Sequence, residues 1–66
     1  MNVKKIAERL KQARGNKTIA EVAKACKIAQ STLGMYETGR RVPRDKIKIV
    51  LARYYNTSVE ALFFAN

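Results

Sequence analysis

The segment TIAEVAKACKIAQSTLGMYE, residues 18 to 37, constrains the fold more than any other part of the chain. Its apolar residues are neither evenly spaced nor strictly alternating. They divide into a helix, a turn and a second helix. The first helix carries Val22, Ala23 and Cys26, the turn carries Ile28, and the second helix carries Leu33 and Tyr36. Two short helices joined by a tight turn must pack at a steep angle to share one core. Ala23 is small at the closest crossing, because a larger side chain would hold the helices apart.

This spacing is the one that a helix-turn-helix needs. The second of the two helices is left with a free outer face that is polar, uncharged and small. Its residues are Gln30, Ser31, Gly34, Met35 and Thr38. Because an α-helix fits the DNA major groove, such a face can lie against the edges of bases.

Helical periodicity also predicts the elements before the turn, and no segment alternates with the period of two that is typical of a strand. A first helix covers roughly residues 2 to 14, and Gly15 ends it with a left-handed conformation. Thr18 is the N-cap of the second helix, with Glu21 three residues later completing a capping box. That helix runs to about Cys26.

The third helix starts at residue 29 or 30 and ends at Gly39, and the loop that follows contains Pro43, which excludes helix before it. A fourth helix covers roughly residues 44 to 55, on the spacing of Ile47, Val50, Leu51 and Tyr54. A fifth carries Val59, Leu62 and Phe63, and either Ser58 or Thr57 with Glu60 caps it. The sequence therefore predicts an all-α chain of five helices in a single domain, residues 1–66.

Charge indicates the kind of partner. The 66 residues include 14 Lys and Arg but only five Asp and Glu, for a formal net charge of +9. The positive electrostatic field of a folded domain with this charge favours binding to a polyanion, either nucleic acid or an acidic membrane surface. Membrane binding fits less well, because the globular core consumes the apolar residues. The three tyrosines are not spaced as a stacking platform, which argues against single-stranded nucleic acid.

Several classes of site have no residues to support them. One cysteine and no histidine exclude an internal disulfide and a zinc site of the usual type. The sequence shows no paired carboxylates, glycine-rich phosphate loop or nucleophile with a base, so we expect no enzyme, cofactor, metal or small-molecule ligand. The N-terminus lacks the apolar core of a signal peptide and a free thiol fits the cytoplasm, where we expect the protein to reside.

Four stretches resemble the Xre/Cro/C1-type helix-turn-helix regulators, especially the small ones of Gram-positive bacteria and their phages. They are RLKQAR, TIAEVA, QSTLGMYETGRRVP and DKIKIVLARYYNTSVEALFF, which extend from residue 9 to residue 64, so the resemblance spans nearly the whole chain. The resemblance implies a compact five-helix lambda-repressor-like DNA-binding domain. It also implies a structural salt bridge between Arg14 and Glu37. The chain departs from the family pattern at Ile19, Lys27 and Ala29, where Gln, Gly and a Ser or Thr cap are usual.

Candidate DNA contacts follow from the outer face and from the resemblance. The base-contacting candidates are Gln30, Ser31, Gly34 and Met35, of which Gln30 can pair with adenine in a bidentate manner. The phosphate-contacting candidates are Thr32, Lys17, Lys27, Arg40, Arg41 and Arg44. The alternatives are ordinary solvated side chains, a partly buried Met35, a packing or capping role for Thr32, and a tolerated glycine at position 34.

We expect a sequence-specific regulator of double-stranded DNA, a repressor, that binds an inverted repeat as a homodimer. The predicted dimer contact is the apolar C-terminal edge, formed by Tyr55, Leu62, Phe63 and Phe64. Since both phenylalanines cannot easily face one small core, at least one is expected at the surface. The alternative function is an antitoxin or anti-repressor-type module whose main partner is another protein. Cys26 is predicted to be a core residue.

Overall fold

The computed structural model describes residues 2–65, and within them the chain forms helices and no strand. The helices are α1 (Val3–Arg14), α2 (Ile19–Cys26), α3 (Gln30–Glu37), α4 (Asp45–Tyr54) and α5 (Glu60–Phe64). The predicted all-α fold of five helices is confirmed. The helix-turn-helix consists of α2 and α3.

Local capping explains where α1 and α2 begin and end. The Asn2 side chain accepts a hydrogen bond from the Lys5 N–H at 3.1 Å, and α1 ends at Gly15, whose φ of +56° favours glycine. Thr18 Oγ1 accepts from the Glu21 N–H at 3.1 Å, as an N-cap should. In residues 2–65 the Glu21 carboxylate makes no return bond to Thr18, so only half of the predicted capping box forms.

The turn between α2 and α3 depends on a strained residue. Lys27 has φ +58° and ψ +43°, the left-handed conformation that costs a residue with a Cβ roughly 1–2 kcal/mol. Ala29 then precedes α3 without a side-chain cap. At the other end Glu37 is the last residue of α3, two residues before the predicted stop at Gly39. The Thr38 hydroxyl donates to the Gly34 carbonyl oxygen at 3.0 Å and closes this end.

The last helix is a single wide turn. Ser58 Oγ accepts from the Ala61 N–H at 3.0 Å, so Ser58 is the residue that caps it. The Ala65 N–H donates to the Glu60 carbonyl oxygen at 2.7 Å, five residues back, which makes α5 a π-helical turn. Leu62 and Phe63 are buried in the core, whereas Phe64 is half exposed.

Each of the five helices contributes to one core. α1 packs against α3 and α5, while α2 packs against α3 and α4. The most deeply buried large side chains are Ile6, Leu10, Val22, Leu33, Leu51 and Phe63. Ala23 is also buried, as expected of a small residue at the crossing of α2 and α3.

The buried face of α4 includes a charged residue that the apolar spacing did not indicate. Lys48 is 6% exposed, alongside the core residues Leu51 and Ala52. Its ammonium lies 3.6 Å from an Asp45 carboxylate oxygen and 4.9 Å from the ring centroid of Phe64. A cation over an aromatic face is attracted by the ring quadrupole, so Lys48 is held at the edge of the core.

A bidentate ion pair joins the end of α1 to the end of α3. Arg14 Nε donates to Glu37 Oε2 at 2.8 Å, and Arg14 Nη2 donates to Glu37 Oε1 at 3.0 Å. Arg14 Nη1 also donates to the Lys17 carbonyl oxygen at 2.7 Å, which fixes the loop after α1. The hydrogen bond to Glu37, more than the charge alone, raises the pKa of Arg14 above its ordinary value.

The two partners of this pair differ in burial, and the difference predicts unequal mutational costs. Glu37 is 3% exposed and Arg14 is 22% exposed. We expect Arg14→Ala to destabilise the fold by about 3–5 kcal/mol, because it leaves a buried carboxylate without its cation. Glu37→Ala should cost less, because the Arg14 guanidinium can still reach water and the Lys17 carbonyl oxygen. Urea denaturation of both variants measures the difference.

Lys24→Ala is a suitable control for this comparison, since Lys24 is exposed and makes no ion pair within the described residues. The double variant of Arg14 and Glu37 should recover part of the loss, because no unpaired buried charge remains. An Arg14→Ala protein that unfolds at the wild-type urea concentration would contradict the structural role of the pair.

Candidate nucleic-acid interface

The outer face of α3 is set by the residues that the core takes from the same helix. Leu33, Tyr36 and Glu37 are buried, which leaves the opposite side of the helix to solvent. Gln30 and Ser31 are exposed there, and Gly34 and Met35 are partly exposed beside them. The structure therefore places the four predicted base-contacting residues on one solvent-facing surface. We call this surface the α3 outer face.

Gly34 gives the α3 outer face a local depression. A Cβ built on Gly34 would meet no atom within 4 Å outside its own turn of helix, so the packing of the protein does not require a glycine here. A glycine inside a helix destabilises it by up to about 1 kcal/mol relative to alanine. What the glycine provides is a stretch of bare backbone, which allows close approach by another molecule.

The loop after α3 carries exposed arginines on both sides of a buried proline. Pro43 is buried, whereas Arg40, Arg41 and Arg44 are exposed on either side of it. Within the described residues none of the three guanidinium groups forms an ion pair. Arg44 directly precedes α4 as its N-cap. All three are thus available to an anionic partner beside the end of α3.

The other predicted phosphate contacts lie near the ends of α2 and at the start of α3. Lys27 is exposed in the left-handed turn, and Thr32 is partly buried in the first turn of α3. Lys17 is exposed, but its ammonium lies 5.6 Å from the ring centroid of Tyr54, and its carbonyl oxygen accepts the bond from Arg14. These contacts hold Lys17 against the end of α4 and restrict the rotation of its side chain.

The predicted dimer contact needs a correction. Leu62 is 5% exposed and Phe63 is 2% exposed, so both side chains belong to the core of their own chain and cannot cover a partner. Phe64 is 51% exposed, which confirms that one phenylalanine remains at the surface. Tyr55 is partly buried and its hydroxyl is enclosed.

Two titratable groups behind the helix-turn-helix are unreactive because they are buried. Burial raises the pKa of the Cys26 thiol, which keeps it protonated and a poor nucleophile, in line with the predicted core role. Burial, with a smaller contribution from the Glu37 charge, raises the pKa of Tyr55 to about 12. Both groups therefore remain neutral at physiological pH.

Lys48 is the residue of structural consequence that the sequence reasoning missed. A signal was present, since Lys48 stands one helical turn before Leu51 and Ala52, the two residues of α4 that face the core. Lysine in such a position buries its aliphatic stem and keeps its ammonium near the surface. The aromatic residues that receive that ammonium, Phe63 and Phe64, come from a different helix and could not be paired with it in advance.

Comparison with known proteins agrees with this geometry. Residues 6–62 match the model of a helix-turn-helix family, which covers most of the chain. No curated protein and no solved structure shows a significant match. Among residues 2–65 no helix has the length and apolar character to cross a membrane. The chain belongs to the helix-turn-helix family of DNA-binding regulators of the Xre/Cro/C1 type.

Proposed function

We propose that the protein is a sequence-specific repressor that inserts α3 into the major groove of an inverted-repeat operator. The observation that carries this proposal is the α3 outer face, small and uncharged, beside exposed arginines that have no ion-pair partner among the described residues. Small polar side chains can approach base edges, and flanking cations attract the phosphates on either side of the groove. A bound repressor covers its operator and excludes other proteins from the same DNA.

Base reading is assigned first to Gln30, the first residue of α3. The N-terminal residues of a recognition helix are the ones that reach base edges in helix-turn-helix proteins. A Gln amide can donate to adenine N7 and accept from adenine N6 at once. Ser31 and Met35 extend the contact, Met35 through the methyl group of a thymine.

The proposal that two copies bind one operator symmetrically follows from the small size of α3. α3 has 8 residues and covers only a few base pairs, too few to select one site among about 10⁶–10⁹ competitors. Two copies on an inverted repeat place their recognition helices about 34 Å apart. The Cα atoms of one copy extend over 28 × 23 × 23 Å, so two copies at that spacing meet only at their edges.

A small contact is sufficient for this arrangement, because DNA holds the two copies together and raises their effective concentration. With Leu62 and Phe63 in the core, the exposed ring of Phe64 is the apolar group left to provide the predicted contact, with the accessible part of Tyr55. We propose that the free protein is monomeric or weakly dimeric and that pairing is completed on the operator.

A second candidate function rests on the same exposed Phe64. An apolar ring at the surface of a small basic domain also suits an antitoxin or anti-repressor-type module that binds another protein. The two functions predict different DNA affinities when binding to a selected site and to random duplex DNA is compared at rising salt. A DNA-reading repressor keeps a preference for its selected site, whereas an interaction module shows only weak binding that salt abolishes.

Gln30→Ala should lose about 1–3 kcal/mol of discrimination at one base pair of the operator, because the bidentate pair is removed. Operator sequences selected from a random duplex pool, followed by competition binding, provide the measurement. Gln12→Ala, an exposed glutamine on α1, is the matched control and should leave discrimination unchanged. Equal loss on operator and random DNA would remove Gln30 from base reading.

Arg40→Ala, Arg41→Ala and Arg44→Ala should each weaken binding to all sequences alike. Each should also make the dependence of log K on log salt shallower by about one unit, since one phosphate contact is lost. The control is Arg53→Ala, an exposed arginine near the end of α4. If none of the three variants changes the salt slope more than Arg53→Ala, the loop does not contact phosphate.

Gly34→Ala should raise the stability of the fold and weaken its binding to the operator. The added methyl group has open space, so the helix should gain up to about 1 kcal/mol of stability. The same methyl group should weaken operator binding, because it holds the α3 backbone away from the base edges. Thermal denaturation and operator binding of one sample test both effects. A stabilised variant with unchanged affinity would show that Gly34 is only a tolerated surface glycine.

The stoichiometry should be two chains on one operator. Sedimentation of the free protein and of its operator complex measures this directly. The half-site arrangement predicts that inserting five base pairs between the half-sites places the second copy on the opposite side of the duplex and weakens binding sharply. One chain per operator in the complex would contradict the symmetric model.

A further inference from the structure

A basic groove with an apolar wall lies beside α5 and is not part of the α3 outer face. It has a volume of about 630 Å³, within the ~300–1,000 Å³ typical of ligand sites. The first half of α1 lines one side, with Val3, Lys5 and Arg9, and the C-terminal residues of α5 line the other. None of its lining residues belongs to α2, α3 or the arginine loop.

The apolar wall of the groove is Phe64. Its side chain is 51% exposed, whereas the adjacent Phe63 is 2% exposed and closes the groove from the core side. The Lys48 ammonium lies 4.9 Å from the Phe64 ring centroid, and Arg9 Nη2 donates to the Ala65 carbonyl oxygen. These two contacts hold the ring and the backbone after it in place, so the wall is formed without a partner.

The charge of the groove determines what suits it. Lys5 and Arg9 line it, and among residues 2–65 no acidic residue does. A second copy of this chain would bring the same two cations and a net charge of +9, so like charges keep the contact between two copies at Phe64 as weak as proposed above. An acidic partner would instead pair with both cations while its apolar side chains cover Phe64.

We propose that this groove docks an acidic amphipathic segment of a different protein, with an apolar side chain on Phe64 and carboxylates on Lys5 and Arg9. The segment and a second copy of the chain both need the Phe64 ring, so a docked segment removes the weak contact between two copies. The docking itself does not depend on the DNA-binding function proposed above. Occupation of the groove therefore provides a way for a partner protein to weaken operator binding.

The test uses a synthetic helical peptide with one stripe of Glu and one stripe of Leu and Phe, labelled with fluorescein. A matched peptide has every Glu replaced by Gln. Fluorescence anisotropy without DNA measures affinity, and amide shifts in NMR spectra locate the peptide. We expect shifts at α1 and α5, with weaker binding of the Gln peptide.

Variants of the chain make the site specific. Phe64→Ala should weaken the acidic peptide about tenfold or more, as expected for an aromatic anchor. Lys5→Ala and Arg9→Ala should each weaken it roughly two- to fivefold. Lys24→Ala and Lys27→Ala remove the same charge from exposed positions of α2 and the following turn, and should have a smaller effect. Circular dichroism confirms that each variant is folded.

Three results would overturn the proposal. The first is equal affinity of the Glu and Gln peptides, or no binding of either. The second is an equal loss from the α2 controls, which would place the peptide on the DNA-binding side by general charge attraction. The third is a stable dimer of the free chain that excludes the peptide from Phe64. Because no DNA is present, each result leaves the proposed operator binding to be judged on its own experiments.

Discussion

The ion pair between Arg14 and Glu37 is the interaction on which the position of the recognition helix depends. It joins residues 23 positions apart, at the last residue of α1 and the last residue of α3. α3 needs such an anchor because its own sequence holds it weakly. It has 8 residues, no side-chain cap at Ala29 and a glycine in its middle. A helix this short is marginal in water, so tertiary contacts must supply its stability.

Burial of a charged pair is costly, and its geometry here limits that cost. A bidentate guanidinium–carboxylate pair satisfies both Glu37 oxygens and adds direction to the attraction. The enclosed Tyr55 lies close enough to feel the charge of Glu37, and its hydroxyl has no hydrogen-bond partner in the described part of the chain. Among the described residues, Arg14 is the side chain that donates hydrogen bonds to the Glu37 carboxylate. Because two parallel hydrogen bonds form, the pair restricts the orientation of the end of α3 relative to the end of α1 as well as its attachment.

Most of the fold could be predicted because local signals agreed with one another. The helical spacing of α1 and α4, the Thr18 cap and the break at residues 27 to 29 each indicated the correct element. The placement of Arg14 beside Glu37 came from family resemblance, since no local rule pairs residues so far apart. On the α3 outer face, sequence reasoning identified which side faces solvent, because burial of Leu33 and Tyr36 determines the opposite side.

The errors occurred where several elements meet. Leu62 and Phe63 were expected at the dimer surface, yet both are buried in the core of their own chain. The spacing of Val59, Leu62 and Phe63 gives these residues one face of α5, but the packing of α5 against α1 is what buries that face, and a pattern within α5 does not contain it. Lys48 was overlooked for the same reason, since its aromatic partners come from α5. Apolar periodicity identifies the face of a helix, but tertiary packing decides which residue at its edge is covered.

The structure separates the residues that stabilise the fold from those available for recognition, with one point of coupling. Gln30, Ser31 and Arg40 are exposed, so the core places little constraint on their identity. Gly34 belongs to the same group, since its neighbours leave room for a larger residue. Glu37 is the exception, because it ends the recognition helix and is also buried in the core. A change at Glu37 therefore alters stability and the presentation of the α3 outer face together, whereas a change at Gln30 alters the α3 outer face and leaves the core intact.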